Sequence, residues 1–201
     1  EVDLSTVRPF AAADTRVAGT DAYVARTGYT GEDGYELIVP SEAATAIWKE
    51  LMDRGATPCG LGARDVLRLE AGLLLHGNDM DTSVNPYEAG LERFVDPDRD
   101  AYLAGPALRR IRDQGVTRTL VGFNMVERGI ARHGYAITDG ENVIGAVTSG
   151  GPSPTLDRNI GLGYVPTGHS SHGSRIYVEI RGRPVAAEVT GLPFYERSRV
   201  Q

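Results

Sequence analysis

Ile176-Tyr177-Val178-Glu179-Ile180 reads apolar, polar, apolar, polar, apolar, the period of two that sends alternate side chains to opposite faces of a β-strand. Working outward, residues 185–189, 160–165 and 143–148 are further short apolar runs, and Val121, Phe123 and Met125 alternate with small or polar residues. Asp139-Gly140 is a hairpin signal, because an Asp-Gly pair tolerates the positive φ of a tight turn. The glycine-proline run Ser149 to Pro154 reads as a loop that either simply connects strands or lines a cleft. Residues 117–201 therefore predict a small antiparallel β-barrel or sandwich.

Ahead of residue 116 the pattern is mixed. Residues 22–25 and 35–39 read as strands around a glycine-rich turn. Ser41 predicts a helix cap after Pro40, with Glu42 in the first turn. Ala43, Ile47 and Leu51 then share one helical face, and Gly55 is the stop. A second helix is predicted over residues 61–75, where Val66, Leu67, Leu69, Leu73 and Leu74 are apolar. Asn85-Pro86-Tyr87-Glu88 has the form of a capping box with proline at the first helical position, predicting a third helix that carries Leu91 and Phe94. A fourth opens at Gly105-Pro106 and closes at Gly115. The first 20 residues show no strong period. The class is α+β, with an α/β portion over residues 1–116 and a β domain over residues 117–201. A sheet of two or three strands has open edges, so preceding chain, or something else, is expected to cover them.

The chain has 201 residues, with 21 basic and 27 acidic side chains and a net charge of −6. That balance argues against a dedicated nucleic-acid binder, whose footprint is usually basic. The charge is uneven: residues 1–100 hold 9 basic and 19 acidic side chains, and residues 101–201 hold 12 and 8. Lys49 is the only lysine among the 21 basic residues. Arginine suits bidentate recognition of carboxylates, although a general arginine bias of the source genome accounts for the same count. No apolar run approaches the roughly 20 residues of a membrane span. Cys59 is the sole cysteine and reads as a small apolar filler, since nothing beside it resembles a base.

The segment RTGYTGEDGYE, residues 26–36, interleaves Gly28, Gly31 and Gly34 with Tyr29, Tyr35, Glu32, Asp33 and Glu36. Tyrosine offers a flat face, and a carboxylate accepts paired hydrogen bonds from a nitrogen-rich edge. The combination suits a planar heterocycle such as a pterin; the same residues also suit a plain glycine turn before a strand. In GLGARDVLRLEAG, residues 60–72, Asp65 stands where a dinucleotide fingerprint needs its third glycine, which excludes that reading. Arg64 and Arg68 lie one helical turn apart, with Asp65 and Glu70 near them. They read either as surface ion pairs or, for Arg64, as a contact to a polar ligand. His76, Asp79 and Asp81, and likewise His169 and His172, lack a recognised metal-ligand spacing. Arg128 and Arg132 in ERGIARHG suit the grip of a carboxylate tail or a salt-bridged loop.

RTGYTGEDGYEL, GLGARDVLRLEAGLLLHGNDMD and TSGGPSPTLDRNIGLGYVP, in this order and spacing, resemble the aminomethyltransferase, or T-protein, family of the glycine cleavage system. The likeness runs from about residue 8 to residue 195. It implies part of a three-lobed folate-binding fold that ends in a small β-barrel. It implies tetrahydrofolate as co-substrate and no metal. The implied reaction takes an aminomethyl group from the lipoyl arm of the H-protein, releases ammonia and forms 5,10-methylenetetrahydrofolate. Carried over residue by residue, Tyr29 corresponds to the aromatic that packs on folate. Glu36 corresponds to the carboxylate on the pterin, and Arg64 of the ARD triplet to a folate-contacting arginine. Arg132 corresponds to an arginine near the glutamate tail, and Tyr195 to a C-terminal tyrosine contact. The aspartate that the family is thought to use in catalysis belongs to an earlier part of the sequence, so no catalytic residue is assigned here. The chain is expected to be a fragment with little or no activity alone. Its expected partners are the lipoylated H-protein and that earlier segment, not nucleic acid or membrane, in a bacterial cytoplasm or a mitochondrial matrix. The alternative is the folate-binding module of a dimethylglycine- or sarcosine-oxidising enzyme, or a non-catalytic folate-binding protein.

Overall fold

The structure, a computed structural model, describes residues 3–197. Two compact units divide between residues 67 and 68, and Arg197 belongs with the first.

The first unit holds a three-stranded antiparallel sheet, β1 (Ala12–Val17), β2 (Thr20–Ala25) and β3 (Glu36–Ile38), in the order β1-β2-β3. β1 lies in the stretch where no period was legible. Its turn, Ala18-Gly19, has both residues at positive φ (50° and 78°), the geometry of a hairpin whose twist matches its strands. Helix α1 (Ser41–Asp53) follows. Ser41 is its first residue and not its cap: the Pro40 carbonyl accepts the early N–H of Ala43, and the Ser41 hydroxyl turns to Glu42 instead. Of the predicted apolar face, Ile47 is buried and Leu51 is exposed.

Helix α2 (Leu61–Glu70) is shorter than its apolar pattern. It ends because Gly72 takes φ +66°, while the N–H groups of Gly72 and Leu73 close back onto Leu69 and Arg68. Leu73 and Leu74 are therefore packing residues of a turn, not of a helix. The predicted third helix is a single turn. The capping box does form, with Asn85 Oδ1 accepting from Glu88 N and Glu88 Oε2 accepting from Asn85 N. Gly90 at φ +68° then diverts the chain. Helix α3 (Gly105–Gln114) closes at Gly115 as predicted.

The second unit is built on a closed antiparallel barrel. Its strands are β4 (Arg118–Met125), β5 (Ala136–Thr138), β6 (Val143–Ser153), β7 (Arg158–Pro166), β8 (Arg175–Ile180) and β9 (Arg183–Thr190), in the cyclic order β4-β7-β6-β5-β8-β9. Closure removes every edge. The run Ser149 to Pro154 is not a connecting loop: β6 continues through it to Ser153, paired with β7. Val121, Phe123 and Met125 fill the interior with Ile137, Val147, Ile176 and Val178. Phe123 lies across Gly161, where any Cβ would collide with its ring. The outer wall of β4 and β7 is also apolar. Leu120, Ile160 and Leu162 pack there against Leu69, Leu74 and Phe194.

A buried polar seam fastens residues 68–80 to this wall. The Arg68 guanidinium, 2% exposed, donates to Asp79 Oδ2 at 2.6 Å and to Ser149 Oγ at 2.8 Å. Asp79 also accepts from the Leu75 N–H at 2.9 Å and the Thr148 hydroxyl at 2.6 Å. The Tyr164 hydroxyl donates to the Asp79 carbonyl at 2.8 Å. Two residues along α2, buried Glu70 accepts from Ser153 Oγ at 2.5 Å and Thr155 Oγ1 at 2.8 Å. Arg68 and Glu70 are thus interior residues, contrary to the surface pairing expected of them. Among the described residues no buried side-chain polar atom lacks a partner.

Arg68→Met should destabilise the chain by about 3–5 kcal/mol, because it strands a buried carboxylate. Arg68→Met combined with Asp79→Leu should recover most of that loss. Urea unfolding followed by circular dichroism checks both. A second outcome concerns alkali. Burial pushes the Tyr164 hydroxyl up to about 12 from 10.0, with Arg118 opposing the shift. Between those values the unfolded chain loses this proton and the folded chain keeps it, so stability falls as pH rises from 10 towards 12. Tyr164→Phe should flatten that part of the stability–pH curve.

Candidate functional site

The first unit presents the glycine-rich segment between the end of β2 and the start of β3. Its shape is set by Arg26, which the sequence reading did not single out. Nε and Nη2 of Arg26 grip both oxygens of Asp33 at 2.9 and 2.8 Å, and Nη1 donates to the Val7 carbonyl at 2.9 Å. Its guanidinium also lies 5.9 Å from the Tyr35 ring centre, and the Tyr35 hydroxyl donates to the Leu4 carbonyl at 2.9 Å. The Arg26 hydrogen bond holds the Asp33 carboxyl below its ordinary range. Opposite charges flanking a turn were the available signal. Of the three glycines only Gly31 needs its freedom of conformation (φ 76°), and a Cβ on Gly28 or Gly34 would meet open space.

Tyr29 rises from this segment, half-buried. The Arg64 guanidinium, from the first turn of α2, lies over its ring at 5.2 Å from the centroid, within the range of a cation–π contact. Glu36 opens β3 opposite Ala25 and is exposed. The first unit therefore joins Tyr29 and Arg64 from two separate motifs and sets Glu36 at the rim of the same glycine segment. Nearby, Arg197 Nε is 4.0 Å from Glu32 Oε2.

Arg132 and Tyr195 belong to the second unit. Arg132 lines a cavity of about 440 Å³ with Arg128, Tyr135 and Arg181. The loop is not salt-bridged: neither Arg128 nor Arg132 has an ion-pair partner among the described residues. The Tyr195 N–H donates to the Glu70 carbonyl at 2.8 Å, which ties the C-terminal segment to the end of α2.

The other candidates resolve into structural roles. Asp79 pairs with Arg68, and Asp81 accepts from the N–H and hydroxyl of Ser83 at 2.7 and 2.6 Å. Among the described residues no three His, Cys, Asp or Glu side chains are grouped to hold a metal ion. Cys59 is exposed, not a core filler. No helix of the described residues is long and apolar enough to cross a membrane.

Comparison with known proteins places these motifs. Residues 1–99 match the GCVT N-terminal domain, and residues 118–196 match the glycine cleavage T-protein C-terminal barrel domain. An aminomethyltransferase of Thermosynechococcus vestitus is 46% identical over 196 residues, covering 98% of this chain and 54% of that protein. One from Rubrobacter xylanophilus is 48% identical over 198 residues, covering 98% and 52%. A crystal structure of the glycine cleavage system aminomethyltransferase T from Bartonella henselae aligns with a TM-score of 0.89 at 36% identity, over 96% of this chain and 54% of its own. The chain belongs to the glycine cleavage T-protein family.

The chain spans about half the length of the T-protein relatives it matches. All three blocks that carried the resemblance lie inside the matched regions. Their conspicuous residues divide into two sets. Arg68, Glu70, Asp79, Ser149 and Ser153 are buried and hold the second unit together. Tyr29, Glu36 and Arg64 reach the solvent-accessible surface of the first.

Arg26→Lys tests how the glycine segment is held. Lysine keeps the charge but cannot form the fork to Asp33 and reach Val7 together. Amide hydrogen exchange of residues 28–35 should accelerate at least severalfold, while the melting temperature changes little, since the Asp33 end of the contact is substantially solvated.

Proposed function

We propose that this T-protein family chain contributes the folate-binding half of a tetrahydrofolate-dependent aminomethyltransferase acting on the lipoyl-bound aminomethyl group of the glycine cleavage H-protein. In this reading residues 1–116 are the α/β portion of the folate-binding domain and residues 117–201 its barrel module, at work in the cytoplasm. The observation that carries it is the stacking of Arg64 on Tyr29 at 5.2 Å. It joins the glycine-segment motif to the ARD triplet on one face of the first unit.

The residues suit a reduced pterin. Glu36 is exposed at the start of a strand, so it can accept two parallel hydrogen bonds from an amino-pyrimidine edge. Tyr29 offers a π-face, worth about 1 kcal/mol beyond area burial. The guanidinium covers one of its faces, so a bound ring takes the opposite face or the place that Arg64 holds. Arg64 supplies fixed donors for a carbonyl edge. Arg132 is proposed to neutralise the glutamate tail, and Tyr195 to contribute a folate contact. Bound tetrahydrofolate supplies the nitrogen nucleophile that takes over the one-carbon unit as the carbon–sulfur bond and ammonia are lost. What these residues contribute is orientation, which can supply a large share of such a rate. The chain spans about half the length of its relatives, so the isolated polypeptide is expected to bind folate but to turn over little or not at all.

Titration calorimetry with tetrahydrofolate tests the binding. Glu36→Ala and Arg64→Ala should each weaken it about tenfold or more, as expected for a lost charged hydrogen bond. Glu42→Gln, in the first turn of α1, should leave it unchanged. Absence of tetrahydrofolate binding would overturn the reading. Robust formation of methylenetetrahydrofolate by the chain alone with lipoylated H-protein would overturn the expectation of low activity.

A further inference from the structure

We infer that the arginine-lined cavity at the end of the barrel is a binding site for a small polyanion, a molecule that presents two or more carboxylate or phosphate groups. The proposal stands on the second unit; it shares Arg132 with the folate reading, whereas Arg128 and Arg181, on which its test turns, have no part in that reading.

The cavity, of about 440 Å³, is lined by Arg128 and Arg132 from the loop after β4, Arg181 from the turn between β8 and β9, and Tyr135, Asn159 and Ile180. That volume suits a small molecule. Three arginines line it from two separate segments, and no acidic residue is among its lining residues. The nearest acidic side chains in sequence are committed or placed elsewhere. Glu127 Oε2 accepts from the Ala186 N–H at 3.2 Å, and Glu179 lies on β8 outside the cavity lining. Arg128, Arg132 and Arg181 have no ion-pair partner among the described residues. Like charges gathered without a counter-charge repel one another, so an arriving anion relieves that cost as well as gaining charge-assisted hydrogen bonds.

The loop that carries Arg128 and Arg132 is held in place by its backbone. Gly129 packs so closely that a Cβ there would meet Ile180 Cδ1 at 2.7 Å and Val185 Cγ1 at 3.1 Å. Its carbonyl accepts from Asn159 Nδ2 at 2.7 Å. The loop carrying Arg128 and Arg132 is thus fixed from β7, β8 and β9. Arg181 occupies the first position of its turn at φ +54°, followed by Gly182 at +74°. That position favours glycine or asparagine, and an arginine there holds backbone strain.

The strain supplies a clean test. Arg181→Gly relaxes the turn while deleting one guanidinium, so it should hold or raise the melting temperature and still lose affinity. The purified chain is titrated calorimetrically at low salt with citrate and, separately, with inorganic phosphate. Saturable one-to-one binding is expected with a Kd on the order of 1 mM or tighter. Response to citrate alone assigns carboxylates as the ligand groups, response to phosphate alone assigns phosphates, and response to both assigns a general oxyanion site. Arg181→Gly and Arg128→Ala should each weaken binding at least tenfold, while Arg175→Ala, on β8 outside the cavity, should not. Failure of both anions to saturate would sink the proposal, as would unchanged binding in Arg181→Gly and Arg128→Ala, or an equal loss in Arg175→Ala.

Discussion

The ion pair between Arg68 and Asp79, at 2.6 Å with both side chains almost wholly buried, is the constraint on which the second unit depends. A barrel needs only its interior filled, yet Leu120, Ile160 and Leu162 put a second apolar layer on its outer wall. Something must cover that layer. The end of α2 and the turn that follows it do so, and their backbone polar groups go into the interior with them. Arg68 and Asp79 resolve the resulting demand. Asp79 accepts from the Leu75 N–H, and Arg68 also donates to the Leu73 carbonyl at 3.3 Å. The pair stabilises by satisfying a buried chain reversal more than by Coulomb attraction alone, since desolvation offsets much of the latter.

The same seam explains why the run Ser149 to Pro154 is a strand. Ser149 answers Arg68, Thr148 answers Asp79 and Ser153 answers Glu70. A glycine-proline run has low strand propensity, but β6 here is held by the ladder to β7 on one side and by side-chain hydrogen bonds to α2 and its turn. Tertiary context overrides local preference, and single-sequence pattern carries no trace of partners some eighty residues away. The missing third helix has a local cause instead. Its capping box forms as read, and Gly90 ends it after one turn.

The legible parts were those fixed by local chemistry. Period two in residues 176–180 and the Asp-Gly turn gave strands and a hairpin because sheet pleat and turn geometry are local properties. Closure of the barrel was not legible, since it depends on β4 meeting β9 across most of the unit. Tyr29 and Arg64 were identified through motif resemblance, and their stacking is a geometry that spacing does not encode. The burial of Arg68 and Glu70 is not legible because charged residues on a helix are usually solvated, and nothing in the helix itself announces the hydroxyl partners on β6, Ser149 accepting from Arg68 and Ser153 donating to Glu70. Arg181 was passed over because a turn between two clear strands is ordinarily read for its glycine and not for the residue before it.

Arginine, in place of lysine, at 20 of 21 basic positions takes on meaning once these environments are compared. Arg68 is buried and divides its donors between a carboxylate, a hydroxyl and a carbonyl. Arg26 makes a two-pronged contact to Asp33 while reaching a backbone carbonyl with its remaining nitrogen. Arg64 lies over an aromatic ring. Each task uses the planar, multi-donor fork that an ammonium group lacks. A compositional bias explains an arginine on an open surface, such as Arg175, but it predicts nothing about forks and stacking. The two causes therefore separate by position: lysine should be tolerated at Arg175 and not at Arg68, where the acceptors are reached from two separate guanidinium nitrogens and a single ammonium nitrogen cannot reach them all.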